Sequence, residues 1–292
     1  MRRLIVNADD FGMTRGINRA IVEGCRDGII TSTTLMATAL AFDNAIGCVH
    51  DLSPPASIGC HVILLDGVPA LPPDQIPSLL SGSSDSSPEF RTALGGFAQA
   101  AFLGKLNPAE VEAEATAQIR RLLKAGVGVS HMDCHKHAHM FPRVVTPILR
   151  AANKCGVKAV RNPFGPIFPQ SPGRILRNPK TWRRVTELAV LRSFAANFRS
   201  EVARHGIHTP DGSVGVLDTG TLDLQSFLQI VETLPEGTWE FVCHPGYNDV
   251  ELDQVRTRLR QSRETELAVL TSPEARAALA RCGIELISFH QL

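Results

Sequence analysis

Four of the ten histidines in this 292-residue chain fall within one stretch of nine residues, and all four occupy odd-numbered positions. Side chains alternate between the two faces of a strand. An extended stretch would therefore place His131, Asp133, His135 and His137 on one face. Imidazole binds zinc and similar divalent ions, and a nearby carboxylate can orient the ring through its second nitrogen. The stretch predicts half of a metal site; the alternatives are a histidine-rich loop or a core strand with hydrogen-bonded histidines.

The elements around this stretch are short apolar runs that alternate with amphipathic helical patterns along the whole chain. Such alternation indicates parallel βα units, and about seven units in a chain of this length favour a closed or nearly closed barrel. We therefore predict an α/β fold, a distorted TIM-like (β/α) barrel forming a single domain over residues 1–292. A doubly wound sheet is the alternative, but the first strand lacks the Gly-x-Gly-x-x-Gly turn of a dinucleotide site.

Two segments depart from the βα pattern. Residues 66–107 are rich in proline and serine and predict a loop-rich insertion, with the length of a functional flap. Residues 164–205 predict a basic and aromatic helical insertion. Its part from 164 to 200 contains seven basic residues and one acidic residue. Such a segment suits peripheral contact with a membrane surface, and the alternatives are an ordinary covering helix or a dimer interface.

Reactive side chains follow the predicted strands at their carboxyl ends. They are Asp9, Asp10, His61, His135, Arg161 and His244. In a βα barrel these ends converge on the face where such enzymes place their chemistry. Two histidines and one carboxylate form a catalytic type of metal site, with positions left for water and substrate. The alternative for the two adjacent aspartates is a turn or a helix cap.

Composition limits the partners and the location. A net charge of +1 gives no reason to expect a nucleic acid partner. Seven cysteines without a Cys-x-x-Cys pair indicate reduced thiols. The amino-terminal residues turn acidic before a signal-peptide pattern develops, and no apolar run approaches a membrane span. We expect a cytoplasmic protein, with 164–200 available for peripheral contact at the inner membrane face, and a homo-oligomer such as a dimer.

Five motifs, in this order along the chain, resemble the YdjC-like (ChbG-type) carbohydrate deacetylase family. They lie at residues 7–12, 31–34, 59–61, 131–139 and 244–246. The resemblance implies a distorted βα barrel that uses one divalent metal ion to remove N-acetyl groups from acetamido sugars, including chitooligosaccharides. It implies that Asp10, His61 and His135 are the metal ligands, that Asp9 is the catalytic base and that His244 is the acid. Nitrogen ligands favour zinc, while the family leaves magnesium open.

Residues 238–249 and 262–264 are similar to a narrower group, the hopanoid-biosynthesis (HpnK-like) branch. That resemblance implies an N-acetylglucosaminyl group carried on a hopanoid lipid, bacteriohopanetetrol, as the substrate. The implied reaction is metal-assisted hydrolysis of a linear amide C–N bond. Asp9 would take a proton from water, and His244 would protonate the departing amine.

The remaining candidate residues receive supporting roles. Four of them would orient the ligands or line the pocket: Asp133, His131, His137 and His139. Arg161 would bind substrate, tune Asp9 or form a structural ion pair, and Tyr247 would contact the sugar. The alternative functions are a chitooligosaccharide deacetylase, another metal-dependent amide or phosphoester hydrolase, and a non-catalytic sugar- or lipid-binding barrel. A phosphatase would usually show a second metal site or a phosphate-binding glycine loop, and the sequence contains neither.

Overall fold

The computed structural model describes residues 1–52, 56–81, 89–166 and 193–292. In these ranges the strands are β1 (Arg2–Phe11), β2 (Ser32–Leu35), β3 (Ser57–Val62), β4 (Val129–Cys134), β5 (Ala159–Val160), β6 (Gly212–Val214), β7 (Gly237–Cys243) and β8 (Ile284–Ile287). The helices are α1 (Arg15–Arg26), α2 (Phe42–Cys48), α3 (Leu94–Phe102), α4 (Pro108–Lys124), α5 (Pro142–Cys155), α6 (Ala195–Arg204), α7 (Leu224–Thr233), α8 (Gln261–Leu270) and α9 (Pro273–Arg281). Strands and helices alternate, which confirms the predicted α/β class.

The strands form one curled parallel sheet. Its order is β5-β4-β3-β2-β1-β7-β6, and β8 pairs with the first half of β1. The amide of Val160 in β5 donates a hydrogen bond of 2.9 Å to the carbonyl of His208, just before β6. This bond links the two ends of the sheet. The result is the distorted (β/α) barrel in a single domain that the alternation of elements predicted.

Successive side chains of β1 point to opposite sides of the strand and lie in two different environments, as the two-residue period of a strand requires. One set belongs to the main apolar core, together with residues of α1: Leu4, Val6 and Ala8. The other set faces the barrel interior and becomes more polar towards the carboxyl end: Ile5, Asn7 and Asp9. The barrel axis therefore runs from an apolar floor to a charged mouth.

The floor is a small apolar cluster of Ile5, Ala159, Ile287 and Phe289. The ring of His131 stacks on Phe289, with centroids 3.7 Å apart and the planes inclined by 10°. His131 has this space because the neighbouring strand carries a glycine there. A Cβ at Gly59 would lie 2.7 Å from the imidazole ring.

The described parts of the first predicted insertion are residues 66–81 and 89–107. They contain α3, and four of their side chains are buried in the apolar core: Ile76, Leu79, Phe90 and Phe97. The role of this insertion as a mobile flap stays a prediction. Most of the second insertion, residues 167–192, lies outside the described residues, and α6 covers its carboxyl-terminal part. None of the helices in the described ranges combines the length and the apolar character that crossing a bilayer requires.

Replacing Gly59 with alanine should destabilise the protein by about 1–3 kcal/mol, because the methyl group overpacks the site of the His131 ring. Denaturant unfolding of the variant and the wild type measures the difference. Gly47→Ala is the matched control, since a Cβ there meets nothing within 4 Å and alanine favours the helix α2. Equal stability of the Gly59→Ala variant and the wild type would contradict the packing described for His131.

Candidate active site

The adjacent aspartates of β1 diverge because the backbone turns between them. Asp10 has a φ of 69°, in the left-handed region that few residues other than glycine adopt. The pairing of β1 with β2 shifts register between Ala8 and Phe11. Asp9 keeps the inward direction of the strand, whereas the carboxylate of Asp10 turns towards β3 and β4. Aspartate tolerates this conformation better than most residues, and such strain is often found at functional sites.

Asp10, His61 and His135 form a compact cluster. Asp10 Oδ1 lies 3.6 Å from both His61 Nε2 and His135 Nδ1, and the two histidine nitrogens are 3.3 Å apart. His61 and Asp10 are buried, and His135 is 15% exposed. The three side chains predicted as metal ligands are therefore brought together at the carboxyl ends of β1, β3 and β4.

The donor set fits a divalent metal ion. Two ligands at about 2.1 Å from a tetrahedral ion lie about 3.4 Å apart, and the three observed separations are close to that value. Asp10 Oδ1 is buried and has no hydrogen-bond partner among the described residues. A buried carboxylate oxygen without a partner is costly, and a cation next to the two imidazoles would satisfy it. These three residues would hold the ion.

Asp133 orients His61 for this role. Its Oδ1 lies 2.7 Å from His61 Nδ1, so that the other ring nitrogen, Nε2, faces Asp10 and His135. This carboxylate–histidine pair is a common support for metal-binding histidines. Burial by itself lowers the pKa of His61, but the negative charge and hydrogen bond of Asp133, with Asp9 and Asp10, raise it to about 9.

Arg161, the first residue after β5, is fully buried and binds three carboxylates. Its Nη1 and Nη2 donate to Asp9 Oδ2 and Oδ1 at 2.7 and 2.5 Å. Nη1 also lies 2.5 Å from Asp133 Oδ2, and Nε donates to Glu240 Oε1 at 2.8 Å. The exposed fraction of its side chain is 0%. Of the three roles predicted for Arg161, these contacts favour an ion pair that tunes Asp9 over substrate binding.

Asp9 lies between this arginine and His244. Burial by itself raises the pKa of Asp9, but the charge and hydrogen bonds of Arg161 outweigh it and hold the pKa well below its usual range. His244, the first residue after β7, is 13% exposed, and its Nε2 lies 3.8 Å from Asp9 Oδ2. The predicted base and acid are thus neighbours on paired strands, beside the three candidate ligands.

The predicted extended stretch from His131 to His137 is wrong beyond Cys134. β4 ends there, and residues 135–140 form a 3-10 segment in which Lys136 and His137 adopt positive φ values of 52° and 53°. Lys136 turns to form an ion pair with Asp66 of the first insertion. His135 consequently enters the cluster from a turn and not from a strand.

The other predicted residues occupy three places. His131 lies in the floor, where its Nε2 is 3.1 Å from Asn7 Oδ1. His139 is buried with its Nε2 3.1 Å from the carbonyl of Arg161, and the rings of His137 and His139 meet edge to face. Tyr247 contacts α1: its hydroxyl donates to Glu23 at 2.5 Å, and Arg19 lies over its ring. The contact of Tyr247 with the sugar stays a prediction.

Five residues of the site carried no prediction: Asn7, Thr34, Glu240, Arg263 and Glu266. Asn7 Nδ2 donates to Asp9 Oδ1 at 2.9 Å, and Thr34 Oγ1 lies 3.2 Å from His61 Nδ1. Burial raises the pKa of Glu240 to about 7, against the attraction of Arg161. A signal for Glu240 existed in the sequence, since a charged residue in the middle of an apolar strand requires a buried partner.

Replacing His61 or His135 with alanine should lower the affinity for Zn²⁺ by at least about 100-fold, because each change removes one of three ligands. Isothermal titration calorimetry of the metal-free protein measures the affinity. His205→Ala is the control, since this histidine caps α6 and bonds to the carbonyl of Glu201. Equal losses in all three variants would contradict the assignment of the cluster.

Metal binding at pH 7.5 should release about one proton, because a His61 with a pKa of about 9 is protonated there and binds the ion only as neutral imidazole. Calorimetry in two buffers of different ionisation enthalpy counts the protons. Asp133→Asn removes the charge that raises this pKa, so the number released should fall towards zero. The same number in both proteins would contradict the role of Asp133.

Comparison with known proteins identifies the family of this chain. A family model described as YdjC-like protein matches residues 3–281. The carbohydrate deacetylase of Brevibacillus brevis is 31% identical over 291 residues, which cover 99% of each chain. That of Geobacillus stearothermophilus is 30% identical and covers 99% of this chain and 98% of its own.

A crystal structure from Enterococcus faecalis, of a protein named for cellobiose-phosphate cleavage, superposes with a TM-score of 0.77 at 26% identity. The match covers 99% of this chain and 98% of that one. The family model spans nearly the whole described fold, and two relatives reach 30% identity over almost the full length. This chain therefore belongs to the YdjC-like protein family.

Proposed function

We propose that this protein is a metal-dependent hydrolase that removes the N-acetyl group from an acetamido sugar. The observation that carries the proposal is the grouping of Asp10, His61 and His135 beside Asp9 and His244 at the carboxyl face of the barrel. The similarity to two carbohydrate deacetylases over nearly the full length supports the substrate class. A non-catalytic binding barrel would have no need for an aspartate–histidine pair next to three candidate metal ligands.

A divalent ion bound by the three ligands would supply Lewis-acid polarisation of the acetyl carbonyl and would acidify a bound water molecule. Two histidine nitrogens and the ligand spacing favour zinc over magnesium. The side chains around the cluster would carry out the proton transfers. Arg161 and Asn7 hold Asp9 ionised and immobile, so that its carboxylate is available to accept the proton of the attacking water.

His244 would protonate the amine that leaves. Its Nε2 faces Asp9, and its ring is partly exposed at the mouth of the barrel, where a sugar would arrive. Imidazole changes charge near neutral pH and is therefore suited to give up a proton to an amine and to regain one. Asp9 and His244 would thus act as base and acid in amide hydrolysis.

We further propose that the sugar is an N-acetylglucosaminyl group carried on a hopanoid lipid, and that the protein works in the cytoplasm with peripheral contact to the inner membrane. The resemblance of residues 238–249 and 262–264 to the hopanoid branch supports this substrate, and the basic composition of residues 164–200 supports the membrane contact. A chitooligosaccharide is the alternative substrate.

Mass spectrometry of acetyl loss from two substrates tests the function. The substrates are chitobiose and N-acetylglucosaminyl bacteriohopanetetrol, each treated with wild type, with wild type plus chelator and with Asp9→Asn. We expect loss from the lipid-linked sugar with wild type alone, because the reaction needs both the ion and the base. Loss from chitobiose only would keep the deacetylase and reject the lipid. No loss from either substrate, with metal bound, would reject the deacetylase.

Replacing His244 with glutamine should lower kcat by about 10²–10⁴-fold, the usual contribution of a general acid, while metal affinity stays within about twofold. Steady-state kinetics and calorimetry on the same preparation separate the two effects. His205→Gln is the control and should keep the wild-type kcat. A kcat of His244→Gln equal to that of wild type would show that another group protonates the amine.

A further inference from the structure

Helix α8 lies against the site and presents two buried charged residues to it. Arg263 and Glu266 are one helical turn apart, a spacing that places them on the same face of the helix. Both are 1% exposed. Burying two charged side chains is costly unless each finds partners, and the partners of this pair include Asp10 and the backbone of His244.

The guanidinium of Arg263 connects Asp10 with His244. Its Nη2 donates to Asp10 Oδ2 at 2.6 Å, and its Nη1 donates to the carbonyl of His244 at 3.4 Å. Nε donates to the carbonyl of Leu259 at 3.2 Å, within the same helical region. The planar fork of arginine allows these bonds to form in different directions at once. Lysine, with one nitrogen, cannot reproduce them.

The peptide of His244 is held from its other side by Glu266. The amide of His244 donates to Glu266 Oε2 at 2.6 Å. The glycine two residues later shows how closely α8 approaches this loop, because a Cβ at Gly246 would lie 2.9 Å from Arg263 Cδ. The sequence His-Pro-Gly after β7 therefore fits against the stem of Arg263.

The two oxygens of Asp10 have different surroundings as a result. Oδ2 is occupied by Arg263, whereas Oδ1 faces the two histidines without a hydrogen-bond partner in the described part of the chain. A carboxylate with both oxygens free can rotate or bind an ion through both. Here rotation would break the bond to Arg263, and binding through both oxygens would displace it.

We propose that Arg263 is a positioning residue that restricts Asp10 to binding the metal ion through one oxygen and fixes the His244 backbone relative to that oxygen. One guanidinium thus sets the distance between the candidate metal ligand and the candidate acid. The proposal rests on the proposed function for the presence of the ion, but its test does not need turnover.

Titration of the metal-free full-length protein with Co²⁺ alone tests the proposal. The visible absorption of bound Co²⁺ reports its coordination number and geometry, and the titration gives the affinity. The variants are Arg263→Met, which keeps the length of the stem and removes the fork, and Arg263→Lys, which keeps the charge. Arg260→Met is the control, since Arg260 precedes α8 and pairs with Asp253 at the surface.

We expect Arg263→Met to bind Co²⁺ about 10–100-fold more weakly, the usual effect of removing a partner of a metal ligand, and to show a changed absorption spectrum. Arg263→Lys should give a smaller loss of affinity, because it keeps the charge, with the spectrum also changed. Arg260→Met should match the wild type in both. Wild-type affinity and spectrum in a folded Arg263→Met protein would overturn the proposal.

Circular dichroism shows whether each variant folds. If Arg263→Met is unfolded, Arg263→Lys decides, and a wild-type spectrum in that variant would overturn the proposal. Wild-type protein that fails to bind Co²⁺ would reject the metal site and the role of Arg263 together. Protein that binds Co²⁺ with the expected differences between variants, but releases no acetyl group, would retain the role of Arg263 and reject the deacetylase.

Discussion

The site depends on the neutralisation of buried carboxylates by two arginines. Asp9, Asp10, Asp133 and Glu240 are all nearly without solvent exposure. Desolvation of so many like charges would raise their pKa values and protonate them. Arg161 binds three of the four, and Arg263 binds Asp10. Removal of either arginine would leave uncompensated charge in a low-dielectric interior, which is among the most destabilising changes a core can suffer.

This arrangement also gives the carboxylates different properties. Asp9 and Asp10 have pKa values below their usual range because an arginine is bonded directly to each. Glu240 shares Arg161 with two other acids, and its pKa is raised to about 7. The negative charge and hydrogen bond of Asp133 raise the pKa of His61 to about 9, although burial by itself lowers it. One buried network therefore holds two aspartates ionised, the state that their ligand and base roles require, and keeps His61 protonated until a bound ion displaces its proton.

The apolar residues that pack the barrel interior and the residues of the candidate active site lie at opposite ends of the barrel axis. Ile5, Ala159, Ile287 and Phe289 close the lower end, and Asn7 links His131 of the floor layer to Asp9 of the charged layer. Cys60, Cys134 and Cys243, each next to a histidine, lie in the apolar core, as expected for neighbours that face away from the site. Burial raises the pKa of each thiol well above its usual value, so these cysteines remain protonated.

The sequence by itself determined the order of elements, because apolar periodicity and strand alternation are local properties. It also placed Asp9, His61, Arg161 and His244 correctly at strand ends, where parallel strands must converge. Local pattern failed at His137, because the turn after β4 depends on the ion pair of Lys136 with Asp66, which is 70 residues away.

The contacts of Tyr247 with α1 could likewise not be read from its position three residues after His244. The partners of Arg263 and Glu240 could not be identified from sequence, since they lie 253 and 79 residues away. The local sequence predicts which reactive residue types are present and where the strands end. The tertiary structure alone determines which buried charges form ion pairs, because these pairs join residues that are close in space and far apart along the chain.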